Sequence, residues 1–196
     1  MSIKMTWWFP THPQEIAADS QGNVYVSDSS GRIEKFSNTG QFLSDVTTLN
    51  NAGSISLAVD NRDNLYVASN ISLIEFSPAG QVISKLQLVN DGSQSSAFWD
   101  ALSIDAHGYL YATKVVVPRS GQGFYPSIVK IDFAAAKIVT GWSVWKSGIH
   151  AVKSIAVDSQ GNIYATEVTN AGDTQLQKFS STGEVLATWK GTCSSS

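Results

Sequence analysis

One cysteine, two methionines, three histidines and five prolines are all that 196 residues provide of these types. The lone Cys193 excludes an intrachain disulfide and a cysteine-based zinc site. Charged residues make up 15% of the chain and leave a formal charge of −3. A nucleic-acid binder held by phosphate contacts needs a clustered cationic surplus, so nucleic acid is not an expected partner. No run approaches the ~18–20 apolar residues of a spanning helix. The stretch before Pro10 and His12 is too short and too polar for the apolar centre of a signal peptide. As written, the chain is expected to be soluble, and its compartment is undetermined. A 3.6-residue apolar period is missing too; the best local candidate for a helix, Ser95 to Leu102, would make one or two turns at most. There is no Gly-x-Ser-x-Gly nucleophile turn, and Gly121-Gln-Gly123 is only a fragment of a phosphate loop with no helix after it.

What the chain does have is apolar bulk and repetition. Apolar residues are 42%, with 6 Trp, 6 Tyr and 8 Phe, enough for a core and against disorder. Four segments align: Ile16 to Val26, Leu57 to Val67, Leu102 to Ala112 and Ile155 to Ala165. Each reads as an apolar strand, a turn opened by Asp19, Asp60, Asp105 or Asp158, and a second strand carrying Tyr. The carboxylate can accept N–H groups two or three residues on. Gly22, Gly108 and Gly161 supply the positive φ of the tight turn, with Asp63 standing in for glycine in the second copy. These aspartates and glycines are therefore assigned to turn structure. A second hairpin follows in each unit, around Arg32-Ile33 to Gly40, Leu73 to Gly80, Ile128 to Val139 and Leu176 to Gly183. Four strands per 40–50 residues is the signature of a β-propeller blade. The fold expected is all-β, with blades at about 10–50, 51–92, 93–146 and 147–191. Residues 1–191 would form one domain, and 192–196 a flexible tail.

The pattern resembles the NHL repeat. Phe9, Pro13, Ile16 to Asp19, Gly22 to Val26, Asp28, Arg32-Ile33, Phe36 and Gly40 match it almost throughout, and Ile155 to Gly183 match it again. The resemblance covers roughly residues 9–190. It implies a propeller, generally six-bladed, in a family that includes RNA-binding regulators, sensor domains, scaffolds and lyases with a metal at the axis. With four repeats, and with Lys4 to Phe9 reading as an outer strand, the expected form is an open arc or partial propeller. Its edges could pair with another copy.

Propeller ligands bind mainly on the face formed by loops entering the first strand and joining the second to the third. Mapping by repeat puts His12, Glu15, Trp99, Asp100, His150 and Lys153 on entry loops. Asp28, Lys114 and Glu167 share one position at the end of the second strand. The third copy's connection, 114–126, reads as an expanded loop carrying Arg119 and Tyr125, and long loops on a repeat scaffold are favoured binding sites. A metal site would need about three converging ligands; His12 and His150 are weak candidates, with Glu15 or Asp100 completing a set. Trp7, Trp8, Trp142, Trp145 and Trp189 are expected to pack between blades.

The sequence points away from an enzyme, without settling the matter. A noncatalytic module or scaffold holding a protein, peptide or glycan, with no cofactor, is the first expectation. The alternative is a metal-assisted lyase or hydrolase of the type the resemblance includes, using a divalent metal.

Overall fold

A computed structural model describes residues 12–49, 55–87, 95–118, 123–144, 149–169 and 172–191. It contains sixteen strands in four antiparallel four-stranded sheets, each in simple meander order. The first is β1 (Pro13–Ala18), β2 (Val24–Asp28), β3 (Arg32–Phe36) and β4 (Phe42–Thr48). The second is β5 (Ile55–Val59), β6 (Leu65–Ser69), β7 (Ser72–Phe76) and β8 (Val82–Gln87). The third is β9 (Ser95–Ile104), β10 (Leu110–Pro118), β11 (Tyr125–Asp132) and β12 (Lys137–Ser143). The fourth is β13 (Ile149–Val157), β14 (Ile163–Thr169), β15 (Thr174–Phe179) and β16 (Val185–Lys190). The sheets are arranged around a common axis, inner strand against inner strand in the order β1, β5, β9, β13. This is a β-propeller of four blades. Among the described residues there are four blades rather than the six the resemblance implies: the repeat occurs four times, and each copy makes one blade.

Alternation along the strands gives each blade two apolar faces. The forward face, which carries the repeat tyrosine, packs on the rear face of the next blade. Tyr25 and Ile33 meet Leu57, Leu65, Val67 and Ile74. Tyr66 and Leu73 meet Trp99, Leu110, Ala112 and Ile131, with the Tyr66 and Phe133 rings edge-on at 5.4 Å. Tyr111 and Ile128 meet Val152, Ile155, Ile163 and Phe179. Each large side chain buried in this way contributes about 1.5–3 kcal/mol. Among the described residues, no corresponding cluster joins the fourth blade to the first.

Two readings of the third blade change. Where it is described, the span 114–126 is not an expanded loop but a lengthened β10–β11 hairpin: β10 runs on to Pro118, pairing Val115 with Pro126 and Val116 with Tyr125. Three consecutive β-branched residues, Val115 to Val117, favour extension over a loop. Ser95 to Leu102 lies within strand β9, because Trp99 is drawn into the core between the second and third blades. Lys4 to Phe9, Trp7, Trp8, Trp145, Arg119 and the 192–196 tail lie outside the described residues. No helix of the described residues is long and apolar enough to cross a membrane.

The turn glycines hold blades together as well as turning the chain. Gly183, at φ 89°, sits against the next-to-last blade, and a Cβ there would meet the Trp142 ring at 2.5 Å. Gly80, at the equivalent turn of the second blade with φ 79°, has open space around it. Both alanine substitutions incur the backbone cost of about 1 kcal/mol. Gly183→Ala adds the displacement of a tryptophan and should cost at least ~1 kcal/mol more than Gly80→Ala, measured by urea denaturation.

Candidate functional site

The repeated turns form at all four aspartates, with the second N–H taken from four residues on rather than three. Oδ1 of Asp19, Asp60, Asp105 and Asp158 accepts the N–H groups two and four residues on, at 2.8–3.1 Å. Gly22, Asp63, Gly108 and Gly161 all have positive φ. Oδ2 accepts the side-chain amide of Asn23, Asn64 or Asn162 in three of the turns at 2.9–3.0 Å, and a feature not singled out from the sequence also uses it. In the first blade Lys35 Nζ lies 3.0 Å from Asp19 Oδ2 and donates to Tyr25 Oη at 2.8 Å. Burial alone would lower the Lys35 ammonium, but Tyr25 and Asp19 outweigh it and raise its pKa. Lys130 with Asp105 and Tyr111, and Lys178 with Asp158 and Tyr164, repeat the arrangement at 3.6 and 3.8 Å. The sequence signal is a lysine one residue before the last apolar residue of the third strand.

The second blade breaks the rule. Glu75 stands where the lysine belongs, and Tyr66 Oη donates to Glu75 Oε1 at 2.9 Å while lying 3.3 Å from Asp60 Oδ2. Burial, then the Glu75 carboxylate, hold the phenol protonated far above its usual range. A cleft of about 320 Å³ opens there between the turns of the second and third blades, lined by Asp60, Glu75, His107, Tyr109 and Asp132.

The residues expected on the opposite, ligand-facing end divide into two groups. Glu15, Asp100, His150 and Lys153 are in the inner strands, not in loops before them. The inner strands begin several residues ahead of the repeat motif, because their partners β2, β10 and β14 extend far enough to pair with them. Glu15 and Lys153 are exposed and Asp100 is half-buried. Partial desolvation raises the Glu15 carboxyl, and the charge of Asp100 adds to this across the two strands. Lys114 and Tyr125 are half-buried on the long hairpin. His12, exposed and at φ 61°, accepts the Ser29 N–H through its carbonyl at 3.1 Å. The His150 side chain is outside the described set, as is Arg119. Among the described residues, no group of three His, Cys, Asp or Glu is placed to hold a metal ion.

The second group is internal. Trp99 is 1% exposed, and its backbone N–H donates to the Asn70 carbonyl at 2.6 Å, tying the third blade to the second. Asp28 is fully buried; it accepts the Ser30 N–H, the Ser30 hydroxyl and the Arg32 N–H, with Arg32 Nη2 at 3.4 Å. Burial would raise it, but the Ser30 contacts and Arg32 prevail and its pKa is lowered. Both residues therefore serve packing and turn formation. Glu167 is 1% exposed; Oε2 accepts from Gln175 at 3.1 Å, and Oε1 has no partner. Desolvation pushes its carboxyl up to about 7, against the modest opposing effect of Gln175.

Two outcomes follow for stability. A carboxyl raised from 4.5 to about 7 on folding costs stability progressively as pH climbs through that window, and no further above it. Glu167→Gln should therefore match the parent below pH 4.5 and exceed it at pH 8 by up to about 3 kcal/mol, read from urea midpoints across the window. Glu75→Lys should restore the ammonium of the other three blades and raise stability by about 1 kcal/mol. A lower melting temperature would contradict it.

No protein-family model matches the chain, and no curated protein matches it by sequence. Among solved structures it is similar to the Dos1 propeller, at 11% identity and TM-score 0.63, covering 93% of this chain and 49% of that one. It is similar to the Pan2 WD40 domain of Neurospora crassa, at 13% identity and TM-score 0.63, covering 91% and 50%. A Streptogramin B lyase structure is similar at 10% identity and TM-score 0.55, covering 91% and 68%. The chain spans about half the length of the first two. What these likenesses share with the strand order is the fold, a β-propeller.

Proposed function

We propose that this chain is a noncatalytic binding or scaffold propeller of the NHL type, with residues 1–191 acting as one domain. Its ligand is a protein, peptide or glycan, held at the end of the propeller where the inner strands begin. The supporting observation is how the blades differ there. Turn aspartates and core apolar positions repeat from blade to blade, whereas one inner-strand position is Glu15, Ser56, Ala101 and Ser154 in turn. The residue before it is Gln14, Ile55, Asp100 and Lys153. Divergent charged side chains on an invariant scaffold are how repeat proteins build a site. Glu15 and Asp100 offer carboxylates and Lys153 an ammonium, a surface suited to a ligand bearing both charge and hydrogen-bonding groups. Lys114 and Tyr125 on the long hairpin extend that face.

The test is a screen of the purified chain against peptide and glycan arrays, with hits measured by calorimetry. Glu15→Gln with Lys153→Ala should weaken a genuine ligand about tenfold or more and leave the melting temperature unchanged, since both side chains are exposed. Unaltered affinity would overturn the assignment of the face. The second reading, a metal-assisted lyase or hydrolase, draws on the fold shared with Streptogramin B lyase. Near-stoichiometric metal in the purified chain, lost on His12→Ala, would favour it over the first.

A further inference from the structure

The forward face of the fourth blade carries the residues that the other three blades bury, and it is open. Ser56 and Ala58 of the second blade are buried; Ser154 and Ala156, at the same positions of the fourth, are exposed. Thr113 is fully buried, while its counterpart Thr166 is exposed. Ile33, Leu73 and Ile128 are fully buried, but the equivalent Leu176 is only half-buried, and Trp189 across from it is 47% exposed. Thr166, Val168, Leu176 and Trp189 line a groove of about 420 Å³ on this face, with Lys153 and Lys190 at one end.

We propose that a second copy of this chain covers this face, forming a two-fold dimer through the fourth blades. Each earlier forward face is covered by another sheet, so the interface to be continued is sheet on sheet, which packs at about 10 Å. A head-to-tail contact with the first blade of another copy is disfavoured, because Val26 and Phe36 on that blade's rear face are already buried, at 2% and 3% exposure. Among the described residues, the fourth blade is the one whose blade-to-blade face lies uncovered, so a second copy brings its own fourth blade, and an isologous contact closes after two copies. Charge is compatible with the antiparallel arrangement. Lys153 and Lys190 occupy one end of the blade, while Asp158 and Glu184 lie in the turns at the other. The Asp158 side chain, paired with Lys178, is 29% exposed, against 2% for Asp19 and 5% for Asp105 in the covered blades. Two-fold symmetry sets the lysine end of one copy beside the acidic end of the other.

The experiment is light scattering or sedimentation equilibrium on the 196-residue chain from ~1 to ~200 µM, with two variants of the face and one elsewhere. The parent should move from 21.0 kDa towards twice that mass as concentration rises. Thr166→Lys and Trp189→Glu, both at exposed positions, should weaken the dimer at least ~30-fold with far-UV spectra unchanged. Val82→Lys, on the exposed outer strand of the second blade, should not affect it. A chain that stays monomeric throughout the range would overturn the proposal. So would a dimer that survives both face variants, or one dispersed by Val82→Lys instead, which would place the contact at an outer strand edge. Thr166, Trp189 and Val82 are not among the residues assigned to the ligand face, so this proposal and the one above can fail separately.

Discussion

A four-stranded sheet with apolar residues on both faces cannot rest in water alone, and this constraint organises the whole molecule. Each blade presents a tyrosine-bearing forward face and an aliphatic rear face, and each is stable only when a neighbour covers it. Three interfaces of this kind hold the four blades together. Their side chains are small where blades approach closely, as at Ala68, Ala112 and Ala165, and large at Trp99, Tyr111 and Phe179. The exposed forward face of the fourth blade is the same constraint left unmet among the described residues.

Within a blade, the polar counterpart is the turn that joins the first two strands. One carboxylate oxygen closes the turn on its own N–H groups, and the other receives a lysine that lies over the neighbouring tyrosine. The pair is tightest at Asp19, 3.0 Å, and longer at Asp105 and Asp158, 3.6 and 3.8 Å. Substituting Glu75 for that lysine leaves two carboxylates sharing one phenolic proton, and a cleft opens beside them. Glu167 is a second departure from the ordinary. A carboxyl in the core with one oxygen unpartnered is destabilising when ionised, since desolvation is uncompensated.

Much of this was legible in the residues. The turn chemistry at Asp19, Asp60, Asp105 and Asp158 is local, spanning five residues, so spacing alone predicts that the carboxylate closes its own turn, though not that the second N–H comes from four residues on. Blade number and strand order follow from four copies of one alternation. The candidate face was less legible. Trp99 and Asp28 looked like ligand-facing residues because they flank the repeat, yet one fills an interblade core and the other caps a turn. Repeat alignment locates a residue along the chain but does not show which way the extended strand turns it. The valines 115–117 were read as loop because the repeat has a loop there, although their own β-branching argues for strand.

The sequence by itself determined the all-β class, the four blades and the place of every aspartate-closed turn, because those depend on contacts a few residues apart. Only the tertiary structure decided which charges meet. The lysines that reach the turn aspartates come from a third strand sixteen to twenty-five residues away. The burial of Glu167 and the exposure of Thr166 beside it depend on which face of the fourth blade has a neighbour. Side chains on adjacent residues of a strand point to opposite faces, so packing between blades, which no local pattern encodes, separates a buried carboxyl from an open groove.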